Sequence, residues 1–448
     1  MFVYERKLIN SKILNYVVFA VCLVEMGINA NTGVKTVTVT GYSNYPRNSE
    51  SVSDLIGSVE SEDNGFYRIE TMSNYTINDP ALYGYKGVSQ FSSTANVNVT
   101  NIMKSLGLQA SAAGNRYYYN QNTAVINMFL NLKYLISHDS YSGDLTYLDP
   151  LASKDGVSIY ENNRYLPIGF AAESSISEYK GESFIQFDNQ NELFRLATGI
   201  EEDVLTRVDI KDVGHKGLNV IKSGYGNYSY QYSAPDDGSE DCYLKFNYTV
   251  PDDGPLYVTF DFGEIKNVRI KVGDSVMRTH SSGKYMDIFA AGDFNAGDVV
   301  SFQADAKDQK NGSGTIYVYQ INSDVFERGY RKLLKGALNV TKYDDTIIKG
   351  NIIAEDDCLM YTSIPYDGGW KAYVDGKETE VQSIKNAFVC VPMSAGEHTV
   401  ELRYCPPGFV VGAVISILSV ATLVLLWIFV PKVKKKRFMS GEGTAENK

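Results

Sequence analysis

Two long apolar segments lie near the ends of the chain. The C-terminal segment, 409–430, reads FVVGAVISILSVATLVLLWIFV and contains no charged residue. About 20 such residues cross the hydrocarbon core of a bilayer as a helix. The segment is followed by basic residues of the kind that stay on the cytoplasmic side: Lys432, Lys434, Lys435, Lys436 and Arg437. The pattern predicts a transmembrane helix over 407–431, rather than a buried helix of a soluble domain, and a basic cytoplasmic tail over 432–448.

The N-terminal segment gives a weaker signal. Its best apolar run is 17–24, Glu25 interrupts it, and it is preceded by the basic residues Arg6, Lys7 and Lys12. We expect a retained transmembrane helix over 1–31, and a cleaved signal peptide is the competing interpretation. Both interpretations place residues 32–406 outside the cytoplasm. A glutamate within a spanning segment usually faces protein rather than lipid, so Glu25 indicates other helices beside this one.

Residues 32–200 do not follow one period. Segments 52–59 and 98–108 have helical apolar spacing, the second with Asn98 or Thr100 as a possible cap. The segment 124–137 is typical of a helix that runs into a short strand. We expect an exported mixed α/β region here.

From about residue 241 the apolar period changes to two. Short alternating segments are separated by Gly/Asp turns, which is typical of a β-sandwich over 201–322. The alternating residues are Leu244, Phe246, Tyr248, Val250, Leu256, Val258, Phe260, Phe262, Val268, Ile270, Val272, Ile316 and Val318.

A predicted helix and a second β module make up residues 323–406. The helix has an apolar stripe and a natural stop at Gly336; the stripe contains Val325, Phe326, Tyr330, Leu333 and Leu334. Asp375-Gly376 between two apolar runs is the strongest short hairpin signal. The predicted fold class is therefore α+β, with β-sandwich modules in a large exported region flanked by two transmembrane helices.

Charge and cysteine content narrow the class of protein. The 448 residues include 42 Lys+Arg and 53 Asp+Glu, a net charge of −11, and no long basic stretch outside the C-terminus, so nucleic acid is not an expected partner. Five cysteines are too few for a disulfide scaffold. Cys358 and Cys390 are the most local candidates for a disulfide, and free buried thiols are an equal alternative.

The sequence offers little catalytic or metal-binding chemistry. The four histidines lack metal-site spacing, and no nucleotide or hydrolase motif occurs. PDDG at 235–238 and 251–254 is compatible with Ca²⁺ ligands, but two turns that bracket one strand fit it better. We expect no metal and no cofactor. The 33 tyrosines favour half-buried strands over a sugar-stacking face.

The most specific segment is Ile364 to Trp370, IPYDGGW. A Gly-Gly bend lets Trp370 fold back under a hairpin while Tyr366 and Asp367 point into a groove. One interpretation is a structural turn with a core tryptophan, which the residues alone favour. The other is a membrane-proximal rim in which Tyr366, Asp367 and Trp370 bind a lipid-linked or glycan substrate.

The segment 363–409, SIPYDGGWKAYVDGKETEVQSIKNAFVCVPMSAGEHTVELRYCPPGF, resembles the C-terminal signature of the YfhO family of bacterial membrane proteins. Further stretches fit the same family in the same order: GFYRIE (65–70), NDPALYGYKGVSQFSS (78–93), LNLKYLIS (130–137) and YENNRYLPIGF (160–170). The resemblance covers nearly the whole chain.

The resemblance implies a protein of the C-type glycosyltransferase kind in the bacterial cell membrane, multi-pass, with most of the chain outside. Such enzymes move a sugar from a polyprenyl-phosphate carrier to an acceptor, here lipoteichoic acid or a related wall polymer, with help from an acidic residue in an early exported loop. The family has a long polytopic region before the exported domain, whereas this chain begins near what would be its last helix. We therefore carry over no catalytic residue and do not expect an enzyme active alone.

Three origins fit that difference: a gene fragment, a split gene and an independent exported module. The first two imply a polytopic membrane partner or region, in addition to the bilayer, the lipid-linked sugar and the wall polymer. The alternative function is a non-catalytic membrane-anchored protein that binds glycan or cell wall. A surface protein without a ligand is a third interpretation.

Overall fold

A computed structural model describes residues 11–36, 48–138, 145–222, 229–233, 242–263, 265, 267–281, 286–306 and 311–441. The PDDG segment at 235–238 and the basic residues Arg6 and Lys7 lie outside this part of the chain. Side chains from residue 430 onward are likewise outside it, including those of the predicted basic tail. The chain forms two units, the first ending at Ser49 and the second beginning at Glu50.

Among the described residues, two helices have the length and composition to cross a membrane. The helix of the first unit is Ser11–Thr36, apolar over Lys12–Thr36, and it continues past the predicted end at residue 31. The helix Phe409–Gly441 is apolar over Phe409–Phe429. In this second helix Leu418, Leu423 and Trp427 are all more than half exposed, so its apolar surface has no protein partner among the described residues. A lipid surface would cover such a helix.

Shorter helices carry their own start signals. They lie at Ser49–Glu62, Asp79–Tyr83, Val97–Ser105, Ala124–Phe129, Gln186–Thr198 and Ser323–Lys335, with a 3₁₀ helix at Ser174–Glu178. The side chains of Asn96, Thr123 and Asn322 accept a hydrogen bond from a backbone N–H two or three residues later. Such a cap satisfies an N–H that has no partner within the helix. The cap of Val97–Ser105 is thus Asn96, and the expectation of Asn98 or Thr100 was wrong because the helix begins earlier.

Two small sheets form the first part of the second unit. The four-stranded sheet has the order Arg68–Thr71, Leu132–Ser137, Val157–Asn162, Leu148–Lys154, and its first pair is parallel. The three-stranded sheet has the order Gln90–Phe91, Arg116–Tyr118, Gln109–Ala110. The expected helix-to-strand segment is confirmed by Ala124–Phe129 and Leu132–Ser137.

The predicted sandwich consists of two antiparallel sheets around one apolar core. One sheet has the order Ile210–Lys216, Tyr243–Thr249, Val299–Asp305, Asn267–Val272, Ser275–Ser281. The other has the order Asn219–Lys222, Ser229–Ser233, Asn311–Ile321, Gly254–Asp261, Phe289–Phe294, and Leu205–Arg207 pairs with Asn311–Ile321. Phe246 and Phe302 from the first sheet share the core with Val258 and Val318 from the second. The period of two follows from this arrangement, because alternate side chains face the other sheet.

A second sandwich precedes the C-terminal helix. One sheet has the order Asn339–Tyr343, Ile347–Ala354, Gly396–Tyr404, Trp370–Val374, Lys377–Thr379. The other has the order Gln382–Ile384, Phe388–Met393, Cys358–Pro365, Gly169–Ala172. Met360 and Val391 pack in one core with Ile352 and Leu402 of the opposite sheet. The α+β class with β-sandwich modules is confirmed.

Distant parts of the chain meet in one aromatic core. Gly169–Ala172 pairs with Cys358–Pro365, although the sequence places them in different predicted regions. The ring centroids of Phe129 and Phe170 lie 5.8 Å apart, and Tyr361 lies 5.6 Å from Phe129 and 5.1 Å from Phe170. The boundaries of the predicted regions remain a prediction. This core supports the segment between Tyr361 and the IPYDGGW turn.

The predicted hairpin forms, and the cysteines of this sandwich form no disulfide. Asp375 and Gly376 have φ of 51° and 76° and connect Trp370–Val374 to Lys377–Thr379, which confirms the hairpin. The five cysteines lie in the part of the chain that the structure describes, and none of them forms a disulfide there. Cys358 pairs with Met393 and Tyr361 with Cys390 in the ladder, so the two buried thiols are offset by three positions and form no disulfide.

Candidate functional site

The IPYDGGW turn connects two sheets of the second sandwich. The Oδ1 of Asp367 accepts a hydrogen bond from the Gly369 N–H over 2.7 Å, and its Oδ2 accepts one from the Tyr404 hydroxyl over 2.7 Å. The Trp370 Nε1 donates to the Pro365 carbonyl over 3.1 Å. The turn is therefore fixed by its own side chains.

The turn is also joined to the strand that leads into the C-terminal apolar helix. Trp370 is the ladder partner of Tyr404, and their ring centroids lie 4.9 Å apart. The Cys405 N–H donates to the Gly369 carbonyl over 3.0 Å. A Cβ on Gly369 would lie 2.4 Å from the Cys405 carbonyl oxygen, so only glycine allows the two backbones to approach this closely.

The predicted site residues Tyr366, Asp367 and Trp370 are all brought to this one half-buried turn. Their role in binding a ligand remains a prediction. The Tyr366 backbone is held on both sides, since its N–H donates to Ala387 over 2.8 Å and its carbonyl accepts from the Asn96 side chain over 2.9 Å. The turn therefore has a fixed position against the helix that Asn96 caps.

Behind the turn lies a pocket of about 240 Å³ that the sequence did not predict. Its lining includes the buried Arg68, Ser363 at the end of a strand, and Pro365 at the start of the turn. The Arg68 Nη1 donates to the Leu130 carbonyl over 2.9 Å and to the Ser363 Oγ, and Nη2 donates to the Ser363 carbonyl over 3.2 Å. The ladder is irregular between Tyr361 and Pro365, which leaves Ser363 available for this contact.

The wall of this pocket is fixed by a buried carboxylate. The side chain of Glu70 accepts hydrogen bonds from three backbone N–H groups, those of Thr71 at 3.0 Å, Val88 at 2.9 Å and Ser89 at 2.8 Å. Burial raises the pKa of Glu70, and the three amides oppose that shift. The loop through Val88 and Ser89 is thereby pinned to the strand that carries Arg68.

A second cavity, of about 340 Å³, contains an ion pair among aromatic rings. The Lys133 Nζ lies 2.5 Å from the Asp63 carboxylate and 5.3–5.9 Å from the ring centroids of Tyr67, Tyr134 and Tyr165. Burial raises the pKa of Asp63, but the hydrogen bonds from Lys133 and neighbouring groups outweigh it and lower that pKa. Burial raises the pKa of Tyr67 to about 12. The cavity thus offers apolar ring surface beside an engaged ion pair.

Four of the stretches singled out in the sequence supply residues to these two pockets: GFYRIE, NDPALYGYKGVSQFSS, LNLKYLIS and YENNRYLPIGF. The first supplies Arg68 and Tyr67, and the second supplies Ser89. Lys133 and Tyr165 come from the last two. A charged residue inside an apolar strand segment, as in FYRIE, was the signal that could have indicated Arg68.

Metal-binding groups are not assembled in the described residues. No cluster of three or more His, Cys, Asp or Glu side chains there has the arrangement of a metal site. In the PDDG segment at 251–254, the Asp253 Oδ1 accepts from the Ala296 N–H over 2.8 Å, and the Asp252 N–H donates to Gln320. These contacts are those of a turn.

Comparison with known proteins identifies relatives. The family model described as "Bacterial membrane protein YfhO" matches residues 1–416. A protein of Bacillus subtilis (strain 168) named "Uncharacterized protein YfhO" is 25% identical over 421 residues, covering 86% of this chain and 45% of the relative. The chain thus spans about half the length of that relative.

Solved structures show only distant likeness. A mutant of a carbohydrate binding module of family 29 is 15% identical with a TM-score of 0.18, covering 25% of this chain and 86% of the other. A GH2 β-galacturonidase from Eisenbergiella tayi bound to galacturonate is 11% identical with a TM-score of 0.18, covering 45% of this chain and 38% of the other.

Proposed function

The chain belongs to the YfhO family of bacterial membrane proteins, and we propose that it is the exported and C-terminal part of a YfhO-like sugar transferase. In this proposal it assists transfer of a sugar from a polyprenyl-phosphate carrier to lipoteichoic acid or another wall polymer. Its own residues dock the glycan acceptor or the lipid-linked donor. The acidic residue that assists the acceptor belongs to a polytopic region of the same protein or of a partner, and we assign no catalytic residue here.

The observation that carries the proposal is the attachment of the IPYDGGW turn to the start of the C-terminal apolar helix. Tyr404 contacts both Asp367 and Trp370, and Phe409 begins the helix five residues later. Five residues span at most about 18 Å, so the turn lies close to one end of that helix. If the helix crosses the bilayer, Tyr366, Asp367 and Trp370 form a rim at the height of a lipid-linked substrate.

The orientation is part of the proposal. Basic residues stay on the cytoplasmic side, and they precede the first apolar helix and follow the second. Both termini would then be cytoplasmic, the protein would be multi-pass, and the β-rich body would lie outside the cell. Glu25 within the first helix would contact helices of the polytopic region.

The test is polymer glycosylation in cells that lack the gene and are supplied with variants of the full protein. Tyr366→Ala and Trp370→Ala should lower sugar incorporation into the wall polymer by roughly tenfold, as expected for the loss of one aromatic contact with a sugar. Phe184→Ala removes an aromatic ring that is 71% exposed and outside both cavities, so it should have no effect. Membrane levels of each variant are measured by blotting.

Unchanged glycosylation in Tyr366→Ala and Trp370→Ala, at normal membrane levels, would overturn the docking role. Unchanged glycosylation in the deletion strain itself would overturn the transferase. Co-purification of a polytopic protein with the chain would support the split arrangement.

A second candidate function is supported by the aromatic cavity at Lys133. Tyrosine rings beside charged groups can stack on sugars and hydrogen-bond to them. A membrane-anchored protein that binds glycan without transferring sugar would need only this cavity. Binding of wall polymer by the full chain in detergent, combined with normal glycosylation in the deletion strain, would favour it.

A further inference from the structure

Arg68 is a buried cation without a carboxylate partner among the described residues. The residue is 9% exposed, and no described carboxylate lies within 4.0 Å of its guanidinium. Its hydrogen bonds go to the Leu130 carbonyl and to the hydroxyl and carbonyl of Ser363, and they use three of the five guanidinium donors. Two donors therefore remain available within the described structure.

Placing such a charge in the interior is costly. Removal of a cation from water is unfavourable unless an opposite charge compensates, and burial accordingly lowers the pKa of Arg68. Glu70 lies two residues along the strand, but its oxygens are engaged by the amides of Thr71, Val88 and Ser89. The guanidinium thus lacks a direct counter-ion in the described structure.

The space beside the guanidinium is suited to a small polar group. The pocket of about 240 Å³ far exceeds the roughly 10–15 Å³ that one water needs on this measure, so it admits a small polar group. Its lining includes Asn78, Ser89 and Gln90, whose side chains already hydrogen-bond within the chain, so Arg68 is the group that faces a ligand with unused donors. Ala81 is an exposed part of the lining. The pocket also reaches Pro365, which precedes the rim at Tyr366.

We propose that this pocket binds a phosphate group through the guanidinium of Arg68. Arginine is the side chain best suited to this task, because its planar fork matches two phosphate oxygens at once. The binding site itself follows from the geometry. The identity of the ligand rests on the proposed function, in which the lipid carrier and lipoteichoic acid both contain phosphate.

The test measures the binding of inorganic phosphate to the full chain in detergent by the broadening of its ³¹P NMR line. Arg68→Lys keeps the positive charge but loses the planar fork. Ala81→Phe leaves Arg68 in place and fills the pocket from its exposed side. Two variants are controls: Arg331→Gln removes an arginine whose side chain is 78% exposed, and Ala113→Phe adds a ring at an exposed position outside the pocket.

We expect both pocket variants to weaken phosphate binding by roughly tenfold or more: Arg68→Lys loses one charged hydrogen bond, and Ala81→Phe excludes phosphate from the pocket. Both controls should bind as the unmodified chain does. Absence of binding by the unmodified chain would overturn the proposal, and so would equal binding by Ala81→Phe. If Arg68→Lys fails to fold, Ala81→Phe still decides the outcome.

Competition identifies the source of the phosphate. Displacement of inorganic phosphate by polyprenyl phosphate in nanodiscs assigns the pocket to the sugar donor. Displacement by a glycerol phosphate oligomer assigns it to the polymer acceptor. If neither displaces it, the assignment to a substrate is overturned.

This experiment is independent of the test of the proposed function. Phosphate binding is measured on isolated protein, and glycosylation is measured in cells. Normal phosphate binding together with unchanged glycosylation in the deletion strain would retain the site and reject the transferase. Absence of phosphate binding together with loss of glycosylation in the deletion strain would retain the transferase and reject the site.

Discussion

The Tyr404 hydroxyl donates a 2.7 Å hydrogen bond to the Oδ2 of Asp367 across 37 residues of sequence. This contact ties the last strand before the C-terminal apolar helix to the turn that we assign as a substrate rim. The Asp367 carboxylate raises the pKa of Tyr404 because it accepts a hydrogen bond from the neutral phenol and so favours the protonated form. This hydrogen bond adds to the ladder pairing and ring contact of Trp370 with Tyr404 and to the Cys405–Gly369 backbone contact in fixing the turn beside the start of the helix.

Tyr404→Phe should destabilise the second sandwich by about 1 kcal/mol, the net value of one partly buried hydrogen bond. The free energy of unfolding is measured by denaturant titration of the full chain in detergent. Tyr373→Phe is the control. Tyr373 lies on the strand that pairs with the strand of Tyr404, and its hydroxyl has no hydrogen-bond partner among the described residues. An equal loss in both variants would show that the Asp367 contact is not the cause.

Gly369→Ala should destabilise the same region by about 1–3 kcal/mol, as overpacking does. Its Cβ would lie 2.4 Å from the Cys405 carbonyl oxygen, and that atom belongs to backbone that cannot rotate away. Gly368→Ala is the matched control, since a Cβ there has no heavy atom within 4 Å. Thermal unfolding of both variants decides the question: similar midpoints would mean that the two backbones tolerate separation.

Local patterns were sufficient to predict the sandwiches. The alternation of apolar and polar residues in Tyr243–Thr249 predicts which side chains are buried, and Asp375-Gly376 predicts a turn. Both signals lie within a few residues, so they can be recognised without the tertiary fold. The start of Val97–Ser105 was misplaced because Asn98 and Thr100 carry the same capping chemistry as Asn96. Neighbouring capping residues cannot be ranked without the backbone.

The pocket could not be predicted in the same way. Arg68 meets Ser363 across 295 residues, and the ladder irregularity that presents Ser363 has no signature in the IPYDGGW segment. The turn residues Tyr366, Asp367 and Trp370 were recognisable because they lie within five positions of one another. A site that consists of one arginine from an early strand and one serine from a late strand becomes visible only when the tertiary fold is known.

Leu333→Ala and Leu334→Ala test how the helix Ser323–Lys335 packs. Sequence spacing put both leucines in one apolar stripe, but Leu333 is fully buried and Leu334 is 43% exposed. Leu333→Ala should cost about 2–5 kcal/mol because it leaves a cavity in the shared core. Leu334→Ala should stay within about 0.5 kcal/mol. Denaturant titration measures both, and equal losses would contradict this orientation of the helix.

His398 should make the last sandwich sensitive to pH. Its Nδ1 lies 2.7 Å from the Asp375 Oδ2 and its Nε2 lies 3.0 Å from the Ser394 carbonyl, so both ring nitrogens face acceptors. Only the imidazolium can donate to both, and the hydrogen bond to Asp375 raises the pKa of His398 above 6.5. The stabilisation is fully present below pH 6.5 and is lost as the pH rises through the pKa of the folded protein.

Asp375→Asn should return the pKa of His398 toward 6.5, because an amide oxygen accepts a weaker hydrogen bond from the imidazolium than a carboxylate does and carries no charge. Asparagine tolerates the left-handed backbone at this position, where φ is 51°, so the hairpin should remain. NMR titration of the imidazole C–H signals measures the pKa directly. Glu378→Gln removes a carboxylate from the same hairpin that pairs with Lys371 instead, and it should leave the titration unchanged. An unchanged pKa in Asp375→Asn would mean that the Ser394 carbonyl alone holds the proton on His398.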